Sequence, residues 1–384
     1  MFVDIVNRRN RPMIDATLQL YNENLIQPDS YIIDVDTVLE NAKIILKAAE
    51  RENIGLYFML KQIGRNPYLA KQLMDMGYKG AVVVDFREAE IMMQHHIPIG
   101  NVGHLVQVPK GLLPKVVAYK PEVITVFSLE KLIEINEVAK DQNVVQDILV
   151  KVADDGDLFY SGQLSGIEIK DLNEFLIEAK RLSHIEIVGA TAFPCYLYDE
   201  VADDVVATPN YYTVVKATEM IAKAGYTIKQ VNVPSTTCEA TISIIANGEG
   251  TMGEPGHGLT GTTPLHAHKD LSELPAVLYL SEVSHNFKGK SYCYGGGLYR
   301  RSHVKNGLLF DNKGEHKVEI TPVNDDSIDY YFEISNEQEI SAPLIMAFRF
   351  QMFVTRSKVV LIEGISKRNP RIVNTYDGLG RLYE

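Results

Sequence analysis

From about residue 37 to about residue 252 the chain alternates amphipathic helical stretches with short apolar runs, the pattern of parallel strands joined by crossover helices. Val38, Ala42, Ile45 and Ala49 recur at helical spacing, and Thr37 with Glu40 predicts a capping box at the start of that helix. Short apolar runs follow at 54–60, 80–84, 102–106, 123–126, 147–152, 185–190, 228–232 and near Thr251. Helical stretches lie between them, among them 68–76, 129–139, 172–182 and 211–224. Roughly eight strand units is the number that closes a (β/α)8 barrel.

After about residue 271 the pattern changes. Segments 276–284, 289–294, 316–320, 330–334 and 358–363 look like strands joined by turns rich in Gly and Asn, so a second, all-β domain is expected. A chain of 384 residues is long enough for both. The expected organisation is an N-terminal arm over 1–30, a (β/α)8 TIM barrel over 31–271 and a C-terminal all-β domain over 272–384. The arm is expected to pack on the β domain or on a neighbouring subunit.

Charge narrows the choice of partner. A formal net charge of -12 with no dense run of Lys and Arg disfavours nucleic acid and anionic membranes, and favours a small molecule. An anionic ligand then has to be captured by backbone dipoles and a few placed cations. Arg8 and Arg9 come before any apolar run could form, so neither signal peptide nor membrane anchor is expected and the protein should be cytoplasmic. Cys195, Cys238 and Cys293 are odd in number and far apart, which fits reduced thiols better than disulfides or a metal site.

Catalytic groups of a parallel barrel collect where its strands end, and Lys61 closes the apolar run Gly55-Leu-Tyr-Phe-Met-Leu60. Desolvation at such a position lowers an amine's pKa and yields a nucleophile for an aldehyde, although a surface lysine snorkelling at a strand end has the same sequence appearance. The segment Thr251-Met-Gly-Glu254-Pro-Gly256-His257-Gly258 can aim backbone N–H groups at a phosphate, or be an ordinary tight turn. Ser235, Thr236 and Thr237 follow the run 228–232 and can complete a phosphate cradle; Thr237 can equally cap the next helix. His104 ends another run, facing the pocket or buried in the core. His266-Ala-His268 with Asp270 has a metal-like spacing, but loop histidines of this kind are more often solvated.

Taken together, these residues resemble the fold-type III enzymes that use pyridoxal 5′-phosphate, typified by alanine racemase, with ornithine racemase closer in places. The resemblance spans nearly the whole chain. It is carried by Tyr31-Ile-Ile-Asp-Val-Asp36-Thr-Val-Leu-Glu-Asn41, by Lys61 at the position of the family's Schiff-base lysine, and by Val152-Ala-Asp-Asp-Gly156-Asp157-Leu158 with Gly162-Gln163-Leu-Ser-Gly166-Ile167. Glu254-Pro255-Gly256, Tyr294 just before Gly295, and Ser366-Lys-Arg-Asn-Pro-Arg371 complete it.

This resemblance implies the cofactor on Lys61, its pyridine nitrogen facing Glu254, and its phosphate on Gly256, His257, Ser235, Thr236 and Thr237. Phe193 takes the place of a His that packs against the cofactor. Tyr294 is implied as the second catalytic base, reaching the partner's site in a head-to-tail homodimer with composite active sites; Tyr292 is its local rival. The implied activity is racemisation or epimerisation of a free amino acid. Several positions depart from the alanine racemase pattern: Glu254 and Phe193, Lys367 in place of a gate tyrosine, and no arginine near Gln163 to meet the cofactor's phenolic oxygen. They point to a substrate other than, or in addition to, alanine. The alternatives are a D-threonine aldolase-like lyase on the same scaffold and a non-catalytic cofactor-binding protein.

Overall fold

Eight parallel strand positions close on themselves in the computed structural model, which describes residues 2–297, 302–324, 326–328, 330–352 and 355–383. The first position is Gly55–Leu56, resumed after Tyr57 as Phe58–Met59. Ala81–Val83, Ile99–Val102, Val123–Val126, Gln146–Ala153, Ile185–Thr191, Gln230–Asn232 and Met252–Gly253 follow. Each pairs with its neighbour in chain order, and Met252 and Gly253 pair back onto Gly55 and Leu56, which closes the barrel.

Helices Pro67–Met76, Phe86–Gln94, Leu113–Tyr119, Leu129–Asp141, Leu172–Ala179, Pro209–Lys223 and Glu239–Asn247 occupy the crossovers. The third strand lies three residues earlier than the sequence pattern suggests. Gly103, at φ +94°, ends it, because any side chain there would meet the Thr125 carbonyl, and Val106 beyond is exposed.

The first long helix corrects its expected cap. It runs Val35–Arg51, and the Asp34 carboxylate accepts from the Thr37 backbone N–H (3.2 Å) and hydroxyl (2.6 Å). Asp34 is therefore the cap and Thr37 already lies in the first turn.

A second sheet has the order Gly314–Glu319, Asn306–Asp311, Pro343–Met346, Val277–Phe287, Ser30–Asp34, Lys358–Glu363, Arg371–Tyr376. Lys290–Tyr294 adds to Val277–Phe287, and Tyr331–Ile334 adds to Lys290–Tyr294. All its pairings are antiparallel except that of Ser30–Asp34 with Lys358–Glu363. Ser30–Asp34, expected at the head of the barrel segment, is an inner strand of this sheet. Tyr31, Ile32 and Ile33 are all fully buried, as a strand covered on both faces requires.

The chain divides into two compact units, Lys43–Leu60 with Ala70–Gly258 for the barrel, and Met1–Ala42, Lys61–Leu69 and Leu259–Glu384 for the sheet. The arm forms helices Phe2–Arg9 and Arg11–Asn22 within the sheet unit. Arg8 pairs with Asp270, Arg11 with Glu315, and Lys317 with Asp4, so the arm lies on the β unit of its own chain. His266 departs from its expected solvated state: it is buried, with Nδ1 2.6 Å from the Thr263 hydroxyl and Nε2 3.5 Å from Glu273, while His268 is exposed. All three cysteines are buried and none is in a disulfide. Among the described residues no helix is long and apolar enough to cross a membrane.

Candidate active site

Inside the barrel, two successive inward positions differ in kind. Val123, Leu149 and Val188 form a lower tier that is apolar and buried. Two residues further along the same strands stand Thr125 and Lys151, with Asn101, Thr191 and Asn232 beside them; all five are buried. Their face is the interior one, because Asn101 on the third strand reaches Glu254 beyond the eighth, a contact only possible across the lumen. Val, Ile and Leu ordinarily fill such a layer, so a run of polar side chains there marks a site.

Glu254 is the focus of this upper tier. Its Oε1 accepts from Asn232 Nδ2 (3.0 Å) and Asn101 Nδ2 (3.4 Å). Each amide is oriented from behind: the Thr191 hydroxyl donates to Asn232 Oδ1 (3.2 Å) and the Thr125 hydroxyl to Asn101 Oδ1 (2.7 Å). With both carbonyl oxygens engaged, both NH2 groups face the carboxylate. One layer away Gln230 Nε2 donates to the Tyr57 hydroxyl (3.1 Å), and burial pushes that phenol well above its usual pKa.

The loop after the seventh strand is strained where hydroxyls cluster. Ser235 and Thr236 hold φ of +104° and +52°, conformations that side-chain-bearing residues adopt at a cost of order 1–3 kcal/mol and that concentrate at binding sites. Their hydroxyl oxygens are 3.4 Å apart, and that of Thr236 donates to the Tyr196 carbonyl (3.1 Å). Thr237 is not the cap of the next helix. Its hydroxyl accepts the Glu254 backbone N–H (3.2 Å), while Cys238 is the capping residue and its N–H bonds the Thr241 hydroxyl (2.9 Å). Gly256 is buried, and a side chain at Gly258 would stand 2.3 Å from the Thr237 carbonyl. The loops carrying 235–237 and 256–258 therefore pack directly together at the N-terminus of helix Glu239–Asn247, a setting that favours an anion.

Beyond the sixth strand, Phe193 stacks edgewise with His104 (centroids 5.9 Å) and lies 5.7 Å from the Tyr160 ring. Lys151 is 2% exposed; its ammonium donates to the His104 carbonyl (3.2 Å) and the Ser165 hydroxyl (2.8 Å), and burial lowers its pKa to about 8.

Lys61 follows the first barrel strand by two residues and is half-buried; its carbonyl accepts from the Met352 N–H (3.1 Å). In the sheet unit, the two tyrosines of Lys290–Tyr294 differ. Tyr292 donates to Glu333 (3.1 Å) and stacks on His285. Tyr294 is 36% exposed and lines an open cleft of about 460 Å³ with Asp29, Glu282, Tyr330, Tyr331 and Arg356.

Sequence reasoning named Glu254, the 235–237 hydroxyls and Phe193 but missed Asn101, Thr125, Lys151, Thr191 and Asn232. Their only sequence signal is a polar residue within or at the end of each of five short strand segments.

A closed barrel with a polar upper interior, beside a hydroxyl-rich loop at a helix N-terminus, defines the class: a TIM-barrel protein built to hold a phosphorylated, nitrogen-containing ring. Residues 33–264 match the family described as alanine racemase, N-terminal domain, and residues 278–372 match the YhfX-like C-terminal domain. The chain belongs to the alanine racemase family, whose fold-type III members use pyridoxal 5′-phosphate, and this is its cofactor. It is 43% identical over 382 residues, 99% of each chain, to the uncharacterized protein YhfX of Escherichia coli (strain K12).

Among solved structures it is similar to D-threonine aldolase from Filomicrobium marinum, with TM-score 0.66, 14% identity, and 93% of this chain and 96% of that one covered. Alanine racemase of Clostridium difficile 630 gives TM-score 0.62 at 18% identity, covering 91% and 98%. At these identities the likeness concerns the fold. The residues present fit the cofactor: a carboxylate set by two amides suits a pyridine nitrogen that carries a proton, and the strained hydroxyl loop suits a phosphate.

Proposed function

We propose that the protein is a racemase or epimerase acting at the Cα of a free amino acid other than, or in addition to, alanine, and that it works as a homodimer with composite active sites. The observation that supports this most directly is Glu254, whose carboxylate is fixed by Asn101 and Asn232 on the inner wall of the barrel. When bound, pyridoxal phosphate supplies an electron-accepting ring conjugated to the substrate amine. Glu254 keeps a proton on the ring nitrogen and so strengthens that acceptor.

Lys61 carries the cofactor through its Nζ between turnovers and moves the Cα proton on one face of the substrate. Tyr294 of a second copy moves it on the other face, since inversion at Cα needs an acid-base group on each side. Its exposure on Lys290–Tyr294 leaves the phenol accessible to another chain. Ser235, Thr236, Thr237, Gly256 and His257 would hold the phosphate, and Phe193 would pack against the ring.

Borohydride reduction of the holoprotein and peptide mapping should place the label on Lys61, and Lys61→Ala should remove it. Incubating single enantiomers of an amino acid panel in deuterium oxide should then yield the opposite enantiomer with deuterium at Cα. Aldehyde and glycine released from D-β-hydroxy amino acids without inversion would replace this reading with the lyase. A labelled protein that exchanges no Cα proton would make it a cofactor-binding protein without turnover.

A further inference from the structure

Lys151 is the one lysine among the described residues that is less than a tenth exposed. Its ammonium has three N–H donors. The His104 carbonyl and the Ser165 hydroxyl take two, the Phe127 ring lies 5.4 Å away, and no carboxylate among the described residues pairs with it. A buried cation with no counter-charge is costly to maintain. Because Lys151 reaches the His104 carbonyl, beyond the third strand, from the fifth strand, it points across the lumen rather than toward the helices.

Thr125 and Thr191, its neighbours in the upper tier, have committed their hydroxyls to Asn101 and Asn232. Lys151 is thus the donor in that tier not engaged in the Glu254 network. The upper tier holds a buried cation, Lys151, and a buried carboxylate, Glu254, that do not pair with each other. A ligand that is cationic at one edge and anionic at another complements both.

A 3-hydroxypyridine has that character. In pyridoxal phosphate the phosphate arm and the phenolic oxygen leave the ring on opposite sides of the axis through the ring nitrogen. With the arm directed to the loops after the seventh and eighth strands and the nitrogen at Glu254, the phenolic oxygen would point away from those loops, toward the side where the Lys151 ammonium meets the His104 carbonyl beyond the third strand. We propose that Lys151 binds the phenolic oxygen of the cofactor, a contact that fixes the ring's tilt and balances its negative charge. This assignment rests on the cofactor orientation of the preceding section.

The test uses full-length protein, pyridoxal phosphate as probe, and the variants Lys151→Met and Lys151→Arg. Lys151→Met should lower cofactor affinity roughly ten- to a hundredfold, the range for losing a hydrogen bond from a charged donor. It should also shift the visible band of the bound cofactor and leave the apoprotein melting no lower than wild type, since an uncompensated buried charge has been removed. Lys151→Arg should restore much of the affinity and the band. Unchanged affinity and spectrum in Lys151→Met would overturn the assignment, as would a lower apoprotein melting point with cofactor binding intact, or a borohydride label on Lys151 itself. Should Lys151→Met not fold, Lys151→Gln is judged by the same two readouts. A wild-type protein that takes no label on Lys61 fails at the earlier step, so the two failures are distinguishable.

Discussion

The two tiers of the barrel interior are built on the same strands two residues apart, yet their chemistry is opposite. Val123 and Leu149 pack with Val188 in the lower tier, while Thr125 and Lys151 open the upper one and join Asn101, Thr191, Asn232 and Glu254. Backbone geometry is shared, so the difference lies in what each tier is for. Apolar atoms removed from water below stabilise the closed barrel. Polar atoms removed from water above stabilise little on balance, since each hydrogen bond replaces one with water. What the upper tier provides is a carboxylate and an ammonium held at fixed places before any ligand arrives.

If that division is right, damage below should appear as lost stability and damage above as lost function. Leu149→Ala should cost about 2–5 kcal/mol of unfolding free energy, as for other fully buried leucines, with turnover per folded molecule unchanged; urea denaturation and assays scaled to folded protein test this. A comparable fall in turnover would show that the tiers are not separable. Glu254→Gln should do the reverse. Turnover should drop by about a hundredfold or more, on the order of 3 kcal/mol of transition-state stabilisation, while the melting temperature moves little because an amide can still sit among amides.

Lys151 should tie stability to pH in a direction opposite to that of a paired surface lysine. Its native pKa is lowered by burial to about 8 from an ordinary value of 10.5. Below pH 8 the group is protonated in both folded and unfolded chains and the full cost of burying the charge is present. Between about 8 and 10.5 the native protein sheds the proton first, the unfolded chain binds more protons, and stability rises with pH. Measured as wild type minus Lys151→Met, apoprotein stability should gain on the order of 2–3 kcal/mol across that window. A flat difference would show that the ammonium is better solvated than its burial implies.

The same contrast explains what the sequence could disclose. Val123–Val126 and Lys358–Glu363 were legible to the residue because β-branched runs with clear ends leave no competing register. Arg371–Tyr376 was not, since it is an edge strand with only Tyr376 fully buried and carries no clean alternation. Asn306–Asp311 and Pro343–Met346 escaped because short runs opening on Asn or Pro look like turns. In the site, loop residues such as Ser235, Thr236 and Glu254 stood out, because hydroxyls, glycines and an acid beside proline are unusual at strand ends. Asn101, Thr125, Lys151, Thr191 and Asn232 did not, each being a polar residue on a different strand with nothing in its own segment to mark it. Only barrel closure and register bring them within hydrogen-bond reach of one another.

The finest test of the upper tier concerns the groups that merely orient it. Thr191→Val keeps the shape and removes the hydroxyl that donates to Asn232 Oδ1. A buried carbonyl oxygen left without that donor costs about 1 kcal/mol, a modest stability loss. The larger consequence is rotational. Without the hydroxyl, the Asn232 amide can turn its oxygen toward Glu254, where oxygen faces carboxylate and the anion loses a donor at 3.0 Å. Turnover should fall about five- to tenfold, cofactor affinity should hold, and Thr191→Ser, which keeps the donor, should recover the rate. If valine and serine behave alike, orientation of the amide is not what the hydroxyl contributes, and the polar tier owes its function to Glu254 and Lys151 alone.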